Sequence, residues 1–171
     1  MCSGGSSRAF AHPRAEISRL IRYNISASFG RVLKRKRRSV SDTEPLIHAA
    51  KEAAETAYIP YSNYPVGAAL LAANGTIYQG CNIENASYPA GICAERVALV
   101  KAVSEGIREF ETIAVITRDG GSPCGICRQM LSEFAPQLRV IMARADGQIT
   151  FDGKLNELLP HAFTGSSLLT E

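Results

Sequence analysis

Three cysteines and one glutamate stand at spacings that suit a metal centre. Cys93-Ala94-Glu95 is followed further along the chain by Pro123-Cys124-Gly125-Ile126-Cys127. Cys124 and Cys127 are three positions apart, so on a helix their sulfurs share one face. Three thiolates around Zn²⁺ leave a fourth tetrahedral corner for water, the layout of a catalytic rather than a structural site. Glu95 is too close to Cys93 in sequence to join the same tetrahedron comfortably, yet well placed beside its open corner. A carboxylate there can take a proton from water and return it to a substrate nitrogen. Three thiolates on a dication leave a net negative charge, and Arg96 and Arg128 are the nearby cations that could offset it. Arg96 is expected to hydrogen-bond one or two of the sulfurs; its alternative is a solvated helix arginine.

These side chains need elements to hold them. Leu46, Ile47, Ala50, Ala53, Ala54 and Ala57 recur at helical spacing, so residues 44–57 read as an amphipathic helix, capped by Asp42 or Thr43 with Pro45 in its first turn. Pro60 and Pro65 bracket a loop. Val66 to Ala72 reads as an apolar strand, Asn74-Gly75 as a type I′ turn, and Thr76 to Asn82 as the returning strand. A loop over 83–92 leads into a helix from Cys93 to Glu105, which Gly106 can terminate. The β-branched run Thr112 to Thr117, a helix from Cys124 to Phe134, a strand from Arg139 to Ala143, a turn at Asp146-Gly147 and a short helix from Leu155 to Leu159 complete the order. Both cysteine-bearing helices then present their positive N-terminal ends to one place, which favours thiolate over thiol. Helices alternating with the later strands predict a mixed sheet sandwiched between helices.

The 171 residues carry a net charge of +3 that conceals a division. Residues 1–38 hold ten Lys/Arg and one acidic residue, Glu16, whereas residues 39–171 hold nine basic and fifteen acidic residues. An acidic body repels polyanions, so nucleic acid is a poor substrate class for it. The predicted organisation is a basic extension over 1–41, read as disordered, and one domain over 42–171. Within the extension, Lys34-Arg35-Lys36-Arg37-Arg38 fits a nuclear address or polyanion patch, and Arg8, Arg14, Arg19 and Arg22 around Ile17, Leu20 and Ile21 fit a mitochondrial transit peptide; a solvated tail is the third reading. A secretory leader and a membrane span are not expected, since no apolar stretch approaches the length that crosses a bilayer. The cytoplasm is the expected location.

Pro60-Tyr-Ser-Asn-Tyr-Pro-Val-Gly67, Gly80-Cys-Asn-Ile-Glu-Asn-Ala-Ser-Tyr-Pro89, Gly91-Ile-Cys-Ala-Glu-Arg96, Ser122-Pro-Cys-Gly-Ile-Cys-Arg-Gln129 and Leu158-Leu-Pro-His-Ala-Phe163 closely resemble the small homotetrameric cytidine deaminases, in order and over residues 44–165. Cys93-x-Glu followed by Pro-Cys-x-x-Cys is the three-cysteine form of the zinc deaminase signature. The resemblance implies a three-layer α-β-α sandwich around a mixed five-stranded sheet, one Zn²⁺ per subunit, and a homotetramer. It implies hydrolysis of cytidine and 2′-deoxycytidine to uridine and 2′-deoxyuridine with release of ammonia, as in pyrimidine salvage. Asn82 and Glu84 then look like the pair that hydrogen-bonds the ribose 3′-hydroxyl, the carboxylate also repelling a phosphate. Tyr64 stands where the family usually places a Phe stacked on the pyrimidine. Ala86, through its backbone, and Tyr88 would line the pocket, Tyr88 near the ligand of a neighbouring subunit, and Phe163 would be lent across a subunit boundary. A carbonyl near Ser122-Pro123 would receive the exocyclic amine.

Each residue also has a plainer reading. Asn82 and Asn85 can serve turn backbone; Tyr64, Tyr88 and Phe163 can be core aromatics; Cys81 reads as a small buried hydrophobe rather than a fourth ligand. His12, His48 and His161 lie outside the metal pattern. Three rival functions differ in what they need. A blasticidin S deaminase shares the cysteine motifs but not the Asn82-Ile83-Glu84-Asn85 run, a polynucleotide deaminase needs a basic groove, and a structural zinc module needs a fourth protein ligand.

Overall fold

The computed structural model describes residues 43–165 and 168. The predicted extension over 1–41, with its targeting and polyanion motifs, lies outside the described residues. Helix α1 (Glu44–Glu55) starts after Thr43, whose carbonyl receives the Leu46 and Ile47 amides, and it accommodates Pro45 in the first turn. Strand β1 (Val66–Ala72) turns into β2 (Ile77–Cys81), helix α2 spans Ala94–Ser104, and β3 spans Phe110–Thr117. Helix α3 (Gly125–Phe134), β4 (Arg139–Arg144), β5 (Ile149–Lys154) and the single-turn α4 (Leu155–Leu158) follow.

The strands form one sheet in the order β2-β1-β3-β4-β5. Only the β3–β4 pair is parallel, and α3 provides the crossover that a parallel pair requires. Period-two alternation divides the buried side chains between two cores. Ala68, Leu70, Ile113, Val115, Val140 and Met142 face α2 and α3, whereas Ala69, Ala114, Ile116, Ile141 and Ala143 face Leu46 and Ala50 of α1. The central strands are thus apolar on both faces, which is why Thr112 to Thr117 reads as a continuous apolar run. The result is the three-layer α-β-α sandwich with a mixed five-stranded sheet.

Small residues set the distance between layers. Ala94, Ala98 and Ala102 of α2 are buried, and Gly80 of β2 lies directly beneath them: a Cβ at Gly80 would stand 2.4 Å from the Ala94 carbonyl oxygen. No larger residue lets α2 settle at this depth, and α2 begins beside Cys93.

Three local expectations need correction. The β1–β2 connection is not type I′, which requires positive φ at both central residues. Gly75 alone has it (φ 89°), its amide bonds to Ala72, and the Ala72 amide bonds to Thr76, giving a type I turn with a glycine bulge. Strand β5 is absent from the element-by-element reading, which gives four strands; it is a half-exposed edge strand whose Asp152, Gly153 and Lys154 obscure the strand pattern. Segment 83–92 is not simply a loop. Ile83 and Ile92 exchange both backbone hydrogen bonds and close its neck, and Tyr88–Ala90 forms a 3₁₀ turn at its tip.

Candidate active site and metal centre

Two helix N-termini meet on the α2/α3 face of the sheet. Cys93 is the N-cap residue of α2, Cys124 is the N-cap residue of α3, and Cys127 lies in the first turn of α3. The three sulfurs all lie within 4.8 Å of one another, with Cys93 Sγ 3.9 Å from Cys124 Sγ and Cys124 Sγ 3.4 Å from Cys127 Sγ. Tetrahedral Zn–S bonds of about 2.3 Å place sulfurs about 3.8 Å apart, so the cluster fits this ion. The donor set fits as well, since soft thiolates select Zn²⁺ over hard cations. Among the described residues the group holds three donors and no fourth, against the requirement of a purely structural zinc module.

The three thiols do not hold their protons equally. Sharing of a proton with Cys127 and the Arg96 guanidinium hold Cys93 down to about 5, against the opposing effect of burial. The same shared proton, together with burial, pushes the Cys127 thiol up. Thiols bind a metal ion as thiolates, so the low value of Cys93 suits it to the role of ligand. Arg96 Nη2 lies 3.7 Å from Cys93 Sγ and 3.4 Å from the Gly91 carbonyl, while its buried Nε has no hydrogen-bond partner. Arg128 is committed elsewhere: its guanidinium bonds the Pro123 carbonyl, the Leu158 carbonyl and Ser122 Oγ, pinning the loop that delivers Cys124. The Pro123 carbonyl, in the segment expected to receive an amine, is therefore already engaged by Arg128.

Glu95, in the first turn of α2, is only 3% exposed. Burial, with the charge of Cys93, raises its pKa above the ordinary carboxylate value. A carboxylate kept from bulk water and pressed against the sulfurs is suited to hold a proton and release it.

A cleft of about 460 Å³ opens beside the cluster and brings Asn82, Glu84 and Tyr88 together with Cys93 and Arg96. Tyr64, Ala86 and Phe163 are not part of its lining. The Asn82 amide is clamped, its Oδ1 accepting the Val66 amide and its Nδ2 donating to the Tyr64 carbonyl; one Nδ2 hydrogen remains for another acceptor. Glu84 Oε2 accepts the amides of Tyr61 and Ser62, and the Ser62 side chain together with these amides holds the carboxyl below its usual range. Asn85 takes the plainer role, accepting the Ser87 amide in its own turn. The Tyr64 ring turns toward the loop after β3, where its hydroxyl donates to Asp119 and the Arg118 guanidinium covers one face at 5.2 Å, leaving only the opposite face for a base. Tyr88 and Phe163 are 80% and 58% exposed, so neither is a core aromatic of this chain. Gln129 holds Phe163 in place through both of that residue's backbone groups. Cys81 is half-buried rather than buried, its thiol directed at the Thr56 carbonyl. Tyr61 and Ser62 grip Glu84 largely through backbone amides, which no side-chain pattern in the sequence reveals.

An open-cornered thiolate centre beside a buried carboxylate, at the edge of an α-β-α sandwich, defines the class as zinc-dependent hydrolases. Residues 40–143 match the profile of the cytidine and deoxycytidylate deaminase zinc-binding region. The chain is 49% identical over 130 residues to the cytidine deaminase of Sporosarcina psychrophila, covering 74% of this chain and 95% of that one. It is 41% identical over 133 residues to the probable cytidine deaminase of Dictyostelium discoideum, covering 76% and 89%. The crystal structure of cytidine deaminase from Burkholderia pseudomallei superposes with a TM-score of 0.68 at 46% identity, covering 70% of this chain and 98% of that one. The chain belongs to the cytidine and deoxycytidylate deaminase family.

Proposed function

We propose that the protein hydrolyses cytidine and 2′-deoxycytidine to uridine and 2′-deoxyuridine, releasing ammonia. The observation that carries this reading is the convergence of three sulfurs, within 4.8 Å of one another, beside the buried Glu95. Cys93, Cys124 and Cys127 would hold one Zn²⁺, which supplies a Lewis acid that makes water nucleophilic near neutral pH. Glu95 accepts the proton that this water loses and delivers it to pyrimidine N3. After the C4–O bond forms, Glu95 takes the second proton from the new C4 hydroxyl and carries it to N4, so that the C4–N4 bond breaks to release ammonia and leave the C4 carbonyl, and Glu95 serves as base and acid in turn. Arg96 partly offsets the charge of the thiolates. The remaining Nδ2 hydrogen of Asn82 and the Glu84 carboxylate suit a ribose hydroxyl, and a fixed negative charge at that end disfavours nucleotides. Tyr88 would complete the pocket from within the cleft, and the exposed Tyr88 and Phe163 suit a homotetramer in which subunits share sites.

Cytidine absorbance followed with the purified full chain tests the reading. The expected result is a loss of absorbance that a zinc chelator halts and that Zn²⁺ restores under reducing conditions. Turnover that persists after zinc is removed would overturn it.

A further inference from the structure

The Tyr64 side chain joins two segments that the proposed reaction uses separately. On one side, Tyr64 belongs to the stretch that grips the Asn82 amide, through the Tyr64 carbonyl and the Val66 amide at 2.9 Å each. Its own amide donates to Ser62 Oγ, and the Ser62 amide donates to Glu84. On the other side, the Tyr64 hydroxyl donates to Asp119 Oδ1. That oxygen also accepts the Thr117 hydroxyl at 3.1 Å, and Thr117 Oγ1 receives the Gly121 amide at 2.6 Å. Thr150 Oγ1 fastens the same loop from β5 by donating to the Gly120 carbonyl. The loop so tied runs directly into Ser122, Pro123 and Cys124. The metal cluster does not include Asp119, whose side-chain bonds run to Tyr64 and to Thr117 at the start of its own loop, so its influence on the reaction passes through Tyr64 or through that loop.

We propose that Asp119 is a positioning residue for nucleoside binding, acting through the Tyr64 hydroxyl to hold the Asn82 and Glu84 side of the cleft in register with the loop that delivers Cys124. The inference rests on the deaminase reading above. The bond is charge-assisted: Tyr64 holds the Asp119 carboxyl below its usual range, so the acceptor is ionised at neutral pH. Arg118 over the ring restricts the one rotation the hydroxyl bond leaves open.

A double-mutant cycle on the zinc-loaded full chain tests this, with uridine titrated calorimetrically alongside cytidine kinetics. Asp119→Ala and Tyr64→Phe are each expected to weaken uridine binding and raise the cytidine KM about fivefold, with kcat changed less than about twofold. The doubly substituted chain should be no worse than the singles, and Asp119→Asn, which keeps an acceptor oxygen, should recover part of the loss. Unchanged uridine affinity in the single variants, even with a lowered melting temperature, would reduce the bond to a structural one and overturn the proposal. So would losses that multiply in the double variant, since Asp119 would then act independently of Tyr64. If the unsubstituted chain neither turns over cytidine nor binds uridine, the deaminase reading itself fails and the proposal fails with it.

Discussion

Replacing Glu95 with Gln keeps the shape of the side chain and removes its basicity. Because Glu95 is 3% exposed and stands against the sulfur cluster, the substitution should leave a folded, zinc-loaded protein whose kcat is lower by about 10²–10⁴-fold. Single-turnover kinetics with metal analysis of the same sample checks both halves; near-normal turnover would remove Glu95 from the chemistry. At this scale the sequence was most informative where chemistry needs a particular side chain. Cys93, Glu95, Cys124 and Cys127 were legible from type and spacing alone, because few other arrangements leave one corner of a thiolate tetrahedron open. The Tyr61 and Ser62 amides were not legible, since any residue but proline supplies one. The direction of the Tyr64 ring was not either, because it depends on Asp119 far along the chain.

Gly80 shows how an element places chemistry. It lies under α2 where a Cβ would meet the Ala94 carbonyl at 2.4 Å and the Ala98 nitrogen at 2.5 Å, both rigid backbone. Gly80→Ala should therefore cost about 1–3 kcal/mol in urea denaturation by forcing the layers apart. The same shift moves the start of α2, so zinc content per chain should fall as well, a loss that a surface substitution of equal stability cost does not produce. Unchanged zinc content would mean that Cys93 is positioned independently of α2. Helices α1, α2 and α3 and strands β1 to β4 could be read from periodicity because each buries a face or is buried outright. Strand β5 could not: it is an edge strand stabilised by partner-strand contacts, the Arg139–Asp152 pair among them, which are invisible in a local window.

For the molecule as a whole, the same Arg139–Asp152 pair makes a pH prediction. The Arg139 guanidinium grips both Asp152 oxygens, at 2.7 and 2.6 Å, and lowers the carboxyl pKa. A carboxyl whose folded pKa is depressed contributes stability above its unfolded value, near 3.8, and loses it as the pH falls through the folded value. Denaturation midpoints measured from pH 6 down to pH 2.5 should decline more steeply for the native chain than for Asp152→Asn; parallel curves would show that the pair contributes nothing. Above the scale of one chain, the proposed homotetramer would cover the exposed Tyr88 of the cleft and the exposed Phe163. The 3.4 Å approach of Cys124 and Cys127 carries a different consequence. Two sulfurs so close at the start of a helix have the disposition of a dithiol that air can oxidise once no ion holds them as ligands. Protein that has lost its zinc and stood unprotected should therefore lock itself into a disulfide, and added metal will revive it only after a reductant has reopened the bridge.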